Sequence, residues 1–123
     1  MSSIMVLDDV ADAGTMIKRI LERKGHSVTI FTEEKEALEH ARSQEVDIAI
    51  LDIKLKKISG VEVLRQIKDM RPDIEVVMLT GYPTLETAKE ATSHGAREYL
   101  VKPIDKQELE NKIAEILESR SSA

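Results

Sequence analysis

Apolar runs and helix-period segments take turns along the whole chain, and no other feature restricts the fold so tightly. Runs at Ile4–Leu7, Val28–Phe31, Val46–Leu51, Val76–Leu79 and Tyr99–Val101 predict five short strands. They are nearly continuous in apolar residues rather than alternating, so each strand is expected to be covered on both faces. Between them Met16, Ile17, Ile20 and Leu21 form one helical stripe that stops near Gly25. Shorter helices are expected over Glu33–Arg42 with Thr32 as N-cap, and over Val61–Met70 closed by Pro72. A fourth fits Leu85–Ser93, capped by Thr84 with Gly95 beyond. The last carries Leu109, Ile113, Ile116 and Leu117 on one face, opened by an Asp105/Glu108 capping box and an Ile104/Leu109 staple. Strand then helix, repeated five times, is an α/β pattern: a doubly wound, mostly parallel five-stranded sheet with flanking helices on both faces.

At 123 residues the chain has the length of one domain, expected over 1–119, with the serine-rich 120–123 as a flexible tail or the start of a linker. Apolar runs never exceed five residues, against the roughly 20 of a membrane helix. The absence of cysteine removes disulfides, zinc thiolates, iron–sulfur clusters and thiol nucleophiles together. The start Met-Ser-Ser-Ile lacks the regions of a signal peptide, which makes a cytoplasmic location the expectation. A net charge of −5 and only three aromatic residues, Phe31, Tyr82 and Tyr99, argue against broad nucleic-acid binding and against a large flat cofactor.

Parallel strands place all their C-termini on one edge, where open α/β sheets bind their ligands. The predicted strands run out into Asp8 and Asp9, Asp52, Thr80 and Lys102. Each alone has a plain structural use: an aspartate after a strand forms turns, a threonine bonds its own backbone, and a lysine snorkels to solvent. Together they gather three carboxylates that repel one another unless a cation compensates them. Hard oxygen ligands at this density suit Mg2+ rather than zinc. Carboxylate, magnesium, lysine and hydroxyl around one point are also what phosphoryl transfer needs, since that chemistry is mostly positioning and charge neutralisation.

The stretches Ile4-Met-Val-Leu-Asp8-Asp9, Ile50-Leu-Asp52, Val77-Met-Leu-Thr80-Gly-Tyr82 and Tyr99-Leu-Val-Lys102-Pro103 resemble the receiver domain of bacterial two-component response regulators, of the chemotaxis-regulator type. The likeness spans essentially the whole chain in order. It implies a flavodoxin-like three-layer sandwich with strand order 2-1-3-4-5. It implies that Asp52 accepts a phosphoryl group from a sensor histidine kinase or phosphotransfer protein, and that Asp8, Asp9, Asp52 and the Lys54 backbone carbonyl hold Mg2+. Thr80 and Lys102 would then bond phosphoryl oxygens, and Thr80 and Tyr99 would form the switch. The Lys102-Pro103 peptide would be cis. Such a module is a regulator that catalyses its own phosphorylation and dephosphorylation without being a turnover enzyme. Its response is expected in helix 4, strand 5 and helix 5, which would also serve an output domain, a partner protein or a homodimer.

Two positions depart from the common pattern. Val10 stands where many relatives carry a third acid, and Lys54, Lys56 and Lys57 make the loop after Asp52 basic. A magnesium-dependent phosphohydrolase would want an acid two residues beyond its nucleophile, where this chain has Lys54. A scaffold that never takes phosphate would not need Asp52, Thr80 and Lys102 together. The scattered His26, His40 and His94 lack metal-ligand spacing, the Glu33, Glu34, Glu36 and Glu39 run reads as a solvated face, and Met5, Met16, Met70 and Met78 read as core.

Overall fold

The computed structural model describes residues 2–121. Five strands and five helices alternate: β1 (Ser3–Leu7), α1 (Ala11–Glu22), β2 (Ser27–Phe31), α2 (Glu34–Ser43), β3 (Ile48–Asp52), α3 (Gly60–Met70), β4 (Glu75–Thr80), α4 (Leu85–Ser93), β5 (Glu98–Val101) and α5 (Lys106–Ser121). The strands form one parallel sheet in the order β2-β1-β3-β4-β5. Order reverses between β1 and β3, so the loops after these two strands diverge and leave a crevice at their C-terminal ends.

Alternation along each strand sorts the core into two layers. Ile4, Val6, Ile48, Ile50, Val77 and Leu79 pack with Ile17, Leu21, Leu109, Ile113 and Ile116 of α1 and α5. Met5, Leu7, Ala49, Leu51, Val76 and Met78 face the other way, onto Ala37, Ala41, Leu64, Ile67 and Ala91 of α2, α3 and α4. Each fully buried large aliphatic is worth roughly 1.5–3 kcal/mol against exposure, so both layers outweigh any single polar feature of the fold. No helix among the described residues is long and apolar enough to cross a membrane.

Several boundaries differ from the sequence expectation. β3 begins at Ile48, because Val46 is buried without joining the ladder. Thr32 does not cap α2; the N-cap is Glu33, which makes no side-chain cap bond. Met16 and Met70 are exposed rather than core, since α1 buries Gly14, Ile17 and Leu21, while Met70 lies on the final, open turn of α3. Ser59 caps α3 by accepting the Val61 N–H at 3.1 Å, and Thr84 caps α4 as expected. Asp105 Oδ1 accepts the Glu108 N–H at 2.9 Å, the forward half of the capping box. Gly25 and Gly95, at φ 89° and 94°, close α1 and α4 in the left-handed region that glycine enters without a Cβ penalty.

Arg120 and Ser121, expected as the start of a flexible tail, belong to helix α5. Helix α5 continues through Arg120, whose guanidinium donates to the Asp47 carbonyl at 2.7 Å and the Asp73 carbonyl at 3.1 Å; residues 122–123 lie outside the described residues. Arg71 likewise donates to the Ala41 and Gln44 carbonyls, and Lys68 to those of Pro72 and Ile74. Three cations near helix C-termini thus bond carbonyls along the edge where the strands begin.

Candidate functional site

The opposite edge collects the chemistry. Asp8 and Asp9 follow β1, Asp52 ends β3, Thr80 ends β4 and Lys102 follows β5. Asp8 and Asp52 are 2% and 7% exposed, which is unusual for carboxylates and calls for compensation. Lys102 supplies part of it: its Nζ donates to Asp8 Oδ2 at 2.9 Å and to Asp52 Oδ2 at 3.2 Å. The ammonium is held in place from behind, because the Lys102 backbone N–H donates to the Thr80 carbonyl at 2.7 Å. The Lys102-Pro103 peptide is cis.

The plain uses of these residues are present alongside the convergence. Asp8 Oδ1 accepts the Val10 N–H at 2.9 Å, Asp52 Oδ1 the Lys54 N–H at 3.2 Å, and Thr80 Oγ1 the Tyr82 N–H at 3.0 Å. Each side chain therefore shapes its own turn with one lone pair and keeps further acceptor capacity for the crevice.

Asp8, Asp9 and Asp52 bring one carboxylate oxygen each within 4.8 Å of one another. Three carboxylates against the single Lys102 ammonium leave an excess of two negative charges. Hard, anionic oxygen donors in that number fit a magnesium ion, which binds through one or two carboxylates and retains water. Asp9, half-buried, is the member open to solvent.

Burial, followed by the charge of Asp8, pushes the Asp52 carboxyl above its ordinary pKa, and the Lys102 ammonium with the Lys54 N–H only partly offsets this. Burial alone would lower Lys102, but the hydrogen bond and charge of Asp8, joined by Asp52, hold it above its ordinary value. Between the unfolded carboxyl pKa of about 3.9 and its raised folded value, Asp52 binds a proton that the unfolded chain has released. Its contribution to stability therefore falls as pH rises through that window, and a constant penalty remains above it. Lys102 stays charged throughout this range and adds no slope. Asp52→Asn should accordingly stabilise the protein relative to wild type at pH 7 and lose that advantage near pH 3. Urea unfolding of the two proteins across this range measures it, and a difference independent of pH would contradict the assignment.

The sequence did not announce Gly60, nor the contacts made by Lys54, Lys57 and Tyr99, residues it had named. Gly60 opens α3 directly under the acceptor turn: its N–H donates to the Ile53 carbonyl at 2.7 Å, and a Cβ there would stand 2.7 Å from the Ile53 Cα. Ser-Gly before an apolar helical run was the available signal. The Lys54 ammonium lies 4.4 Å from the centre of the Tyr82 ring, and Lys57 pairs with Glu33 at 3.7 Å, so two lysines of the basic loop already have partners. Tyr99 faces the α3/α4 layer and its hydroxyl meets Thr87 Oγ1 of α4 at 2.9 Å, not Thr80.

Comparison with known proteins places the chain in one family. The family described as response regulator receiver domain matches residues 4–114. The transcriptional regulatory protein ZraR of Klebsiella oxytoca is 34% identical over 114 residues, which is 93% of this chain and 26% of that protein. The regulatory protein LuxO of Vibrio cholerae is 29% identical over 104 residues, covering 85% of this chain and 23% of its own. The chain thus spans about a quarter of these curated relatives. Among solved structures, a CheY-like receiver domain protein from Methanospirillum hungatei superposes with a TM-score of 0.94 at 31% identity, covering 100% of this chain and 99% of its own. The beryllofluoride-activated NtrC4 receiver domain, solved as a dimer, gives 0.92 at 27% identity over 97% and 98% of the two chains. With the family's match running from β1 into α5 and its strand order reproduced, the chain belongs to the response regulator receiver domains, the phosphoacceptor switches of two-component signalling.

Proposed function

We propose that Asp52 is the phosphoacceptor of this domain. A carboxylate oxygen of Asp52 attacks the phosphorus of a phosphohistidine on a sensor kinase or phosphotransfer protein; the new O–P bond forms as the P–N bond breaks, and its electron pair returns to the imidazole. The observation that carries this is the meeting of Asp8, Asp52 and Lys102 in hydrogen-bonding distance at the C-terminal edge of the sheet. Lys102, charged at neutral pH, is placed to pair with an oxygen of the arriving group, and Thr80, at the adjacent strand end, offers a hydroxyl to another. Asp8, Asp9 and Asp52, with the Lys54 backbone carbonyl, would hold Mg2+. When bound, the ion neutralises charge on the phosphoryl oxygens.

A single receiver domain that includes the whole of α5, located in the cytoplasm, belongs to the same proposal. It is a regulator that modifies itself rather than a turnover enzyme. Its response reaches α4, β5 and α5, where Leu85, 73% exposed, and Val101, together with Tyr82 of the loop before α4 at 70%, offer apolar area to an output domain or a second copy. Relatives that are named as transcriptional regulators, and a neighbour solved as an activated dimer, support this use.

The test is incubation with a small phosphodonor, read by intact mass. An adduct should form with magnesium and fall to background in chelator. Asp9→Ala should suppress it at least tenfold with Asp52 still present, because the remaining carboxylates gain less from a cation. An adduct that forms equally in chelator would remove the metal from the reading.

A further inference from the structure

Tyr99 is held by a partner that belongs to neither the acceptor nor the strand ends. Its hydroxyl and Thr87 Oγ1 are 2.9 Å apart, and Thr87 lies in the first turn of α4. The same Thr87 hydroxyl donates to the Thr84 carbonyl at 3.1 Å and lies 2.9 Å from Thr84 Oγ1, while Thr84 Oγ1 caps the helix by accepting the Thr87 N–H at 3.0 Å. The phenol of β5 is thereby tied into the cap of α4. That helix has few other ties: of its nine residues, Ala91 is the one that is buried. A cleft of about 490 Å³, lined by Thr80 and Thr87 among others, adjoins this cap. A movement of the ring toward Thr80 would have to break its bond to Thr87.

We propose that Thr87 is a positioning residue of the switch: its hydroxyl latches Tyr99 in the unphosphorylated arrangement, and release of Tyr99 loosens the first turn of α4. The proposal rests on the phosphoacceptor reading above and adds the element through which the response reaches α4. A hydroxyl–hydroxyl bond of ordinary strength biases a two-state equilibrium about fivefold. A phosphoryl group that draws Thr80 toward itself has to overcome that bias before Tyr99 follows. Thr87→Val keeps the branched shape and the backbone cap donor while deleting the hydroxyl; Thr87→Ser keeps the hydroxyl.

Amide spectra of the whole chain, free and with beryllofluoride as phosphoryl analogue, test the latch. Free Thr87→Val should show the amides of residues 84–88 displaced part-way along the line from free to beryllofluoride-bound wild type, by about a fivefold change in the two-state ratio. Tyr99→Phe should do the same, the double variant should add little, and Thr87→Ser should stay with wild type. Thr87→Val spectra that overlay free wild type at these amides would overturn the latch, as would additive effects of Thr87→Val and Tyr99→Phe on hydrogen exchange in that turn. Wild-type amides at 84–88 that ignore beryllofluoride would instead overturn the switch reading on which the latch rests, and the exchange cycle would still decide the bond.

Discussion

Asp52→Asn should reduce the covalent phosphoryl adduct to background while leaving the fold intact. The amide has the size of the carboxylate, and its oxygen can still accept the Lys54 N–H that shapes the turn after β3. What it lacks is the anionic oxygen that attacks phosphorus, and neither the nitrogen nor the oxygen of a neutral amide replaces it at neutral pH. The Lys102 ammonium keeps its shorter bond, to Asp8 at 2.9 Å, so the cluster does not collapse. Intact mass after incubation with magnesium and phosphodonor gives the yield, and peptide mapping gives the position. Recovery of phosphate on an aspartate of the Asp52→Asn variant, at Asp8 or Asp9 for instance, would show that the acceptor has been misassigned.

The second large effect is expected at a residue with no chemistry of its own. A Cβ on Gly60 would fall inside the van der Waals shell of the Asp52 carbonyl oxygen and stand 2.7 Å from the Ile53 Cα, both of them backbone atoms that cannot swing aside. Gly60→Ala must then push α3 away from the end of β3 or shift the acceptor turn itself. Forced overpacking of this kind costs roughly 3 kcal/mol, and it should slow phosphorylation beyond the loss of folded protein. Gly81→Ala is the control. Its Cβ would meet nothing nearer than the Lys102 side chain at 3.9 Å, so a change within about 1 kcal/mol is expected. Denaturant midpoints of the two variants decide the matter, and equal midpoints would contradict the close approach at Gly60.

How much of this was readable from the residues follows the physics of each signal. Asp8, Asp9, Asp52, Thr80 and Lys102 were legible because parallel strands oblige every C-terminus to share an edge, so five distant positions reduce to one place. Strand order was not contained in the apolar runs and came with the family resemblance. Val46 was read as strand because apolarity reports burial, and it is buried, but pairing begins at Ile48. Met16 adjoined a true core stripe at its flank, where one residue of helical rotation separates the interior from solvent. Thr32 carries a capping side chain, yet the helix starts one residue later than such a cap requires. Contacts between side chains remote in sequence, such as Thr87 with Tyr99 or Arg120 with the Asp47 carbonyl, leave no periodic trace at all.

The three cations that close helix ends along the far edge of the sheet have a consequence for how this domain can change over generations. Arg120, Arg71 and Lys68 hold carbonyls of the segments that lead into β3 and β4, and none of them lies among the groups proposed to handle phosphate. Cohesion and chemistry thus occupy opposite rims. Substitutions around the crevice can retune the chemistry against a reserve of stability that lies elsewhere, whereas losses at the far rim would be felt as lower abundance of an otherwise competent switch.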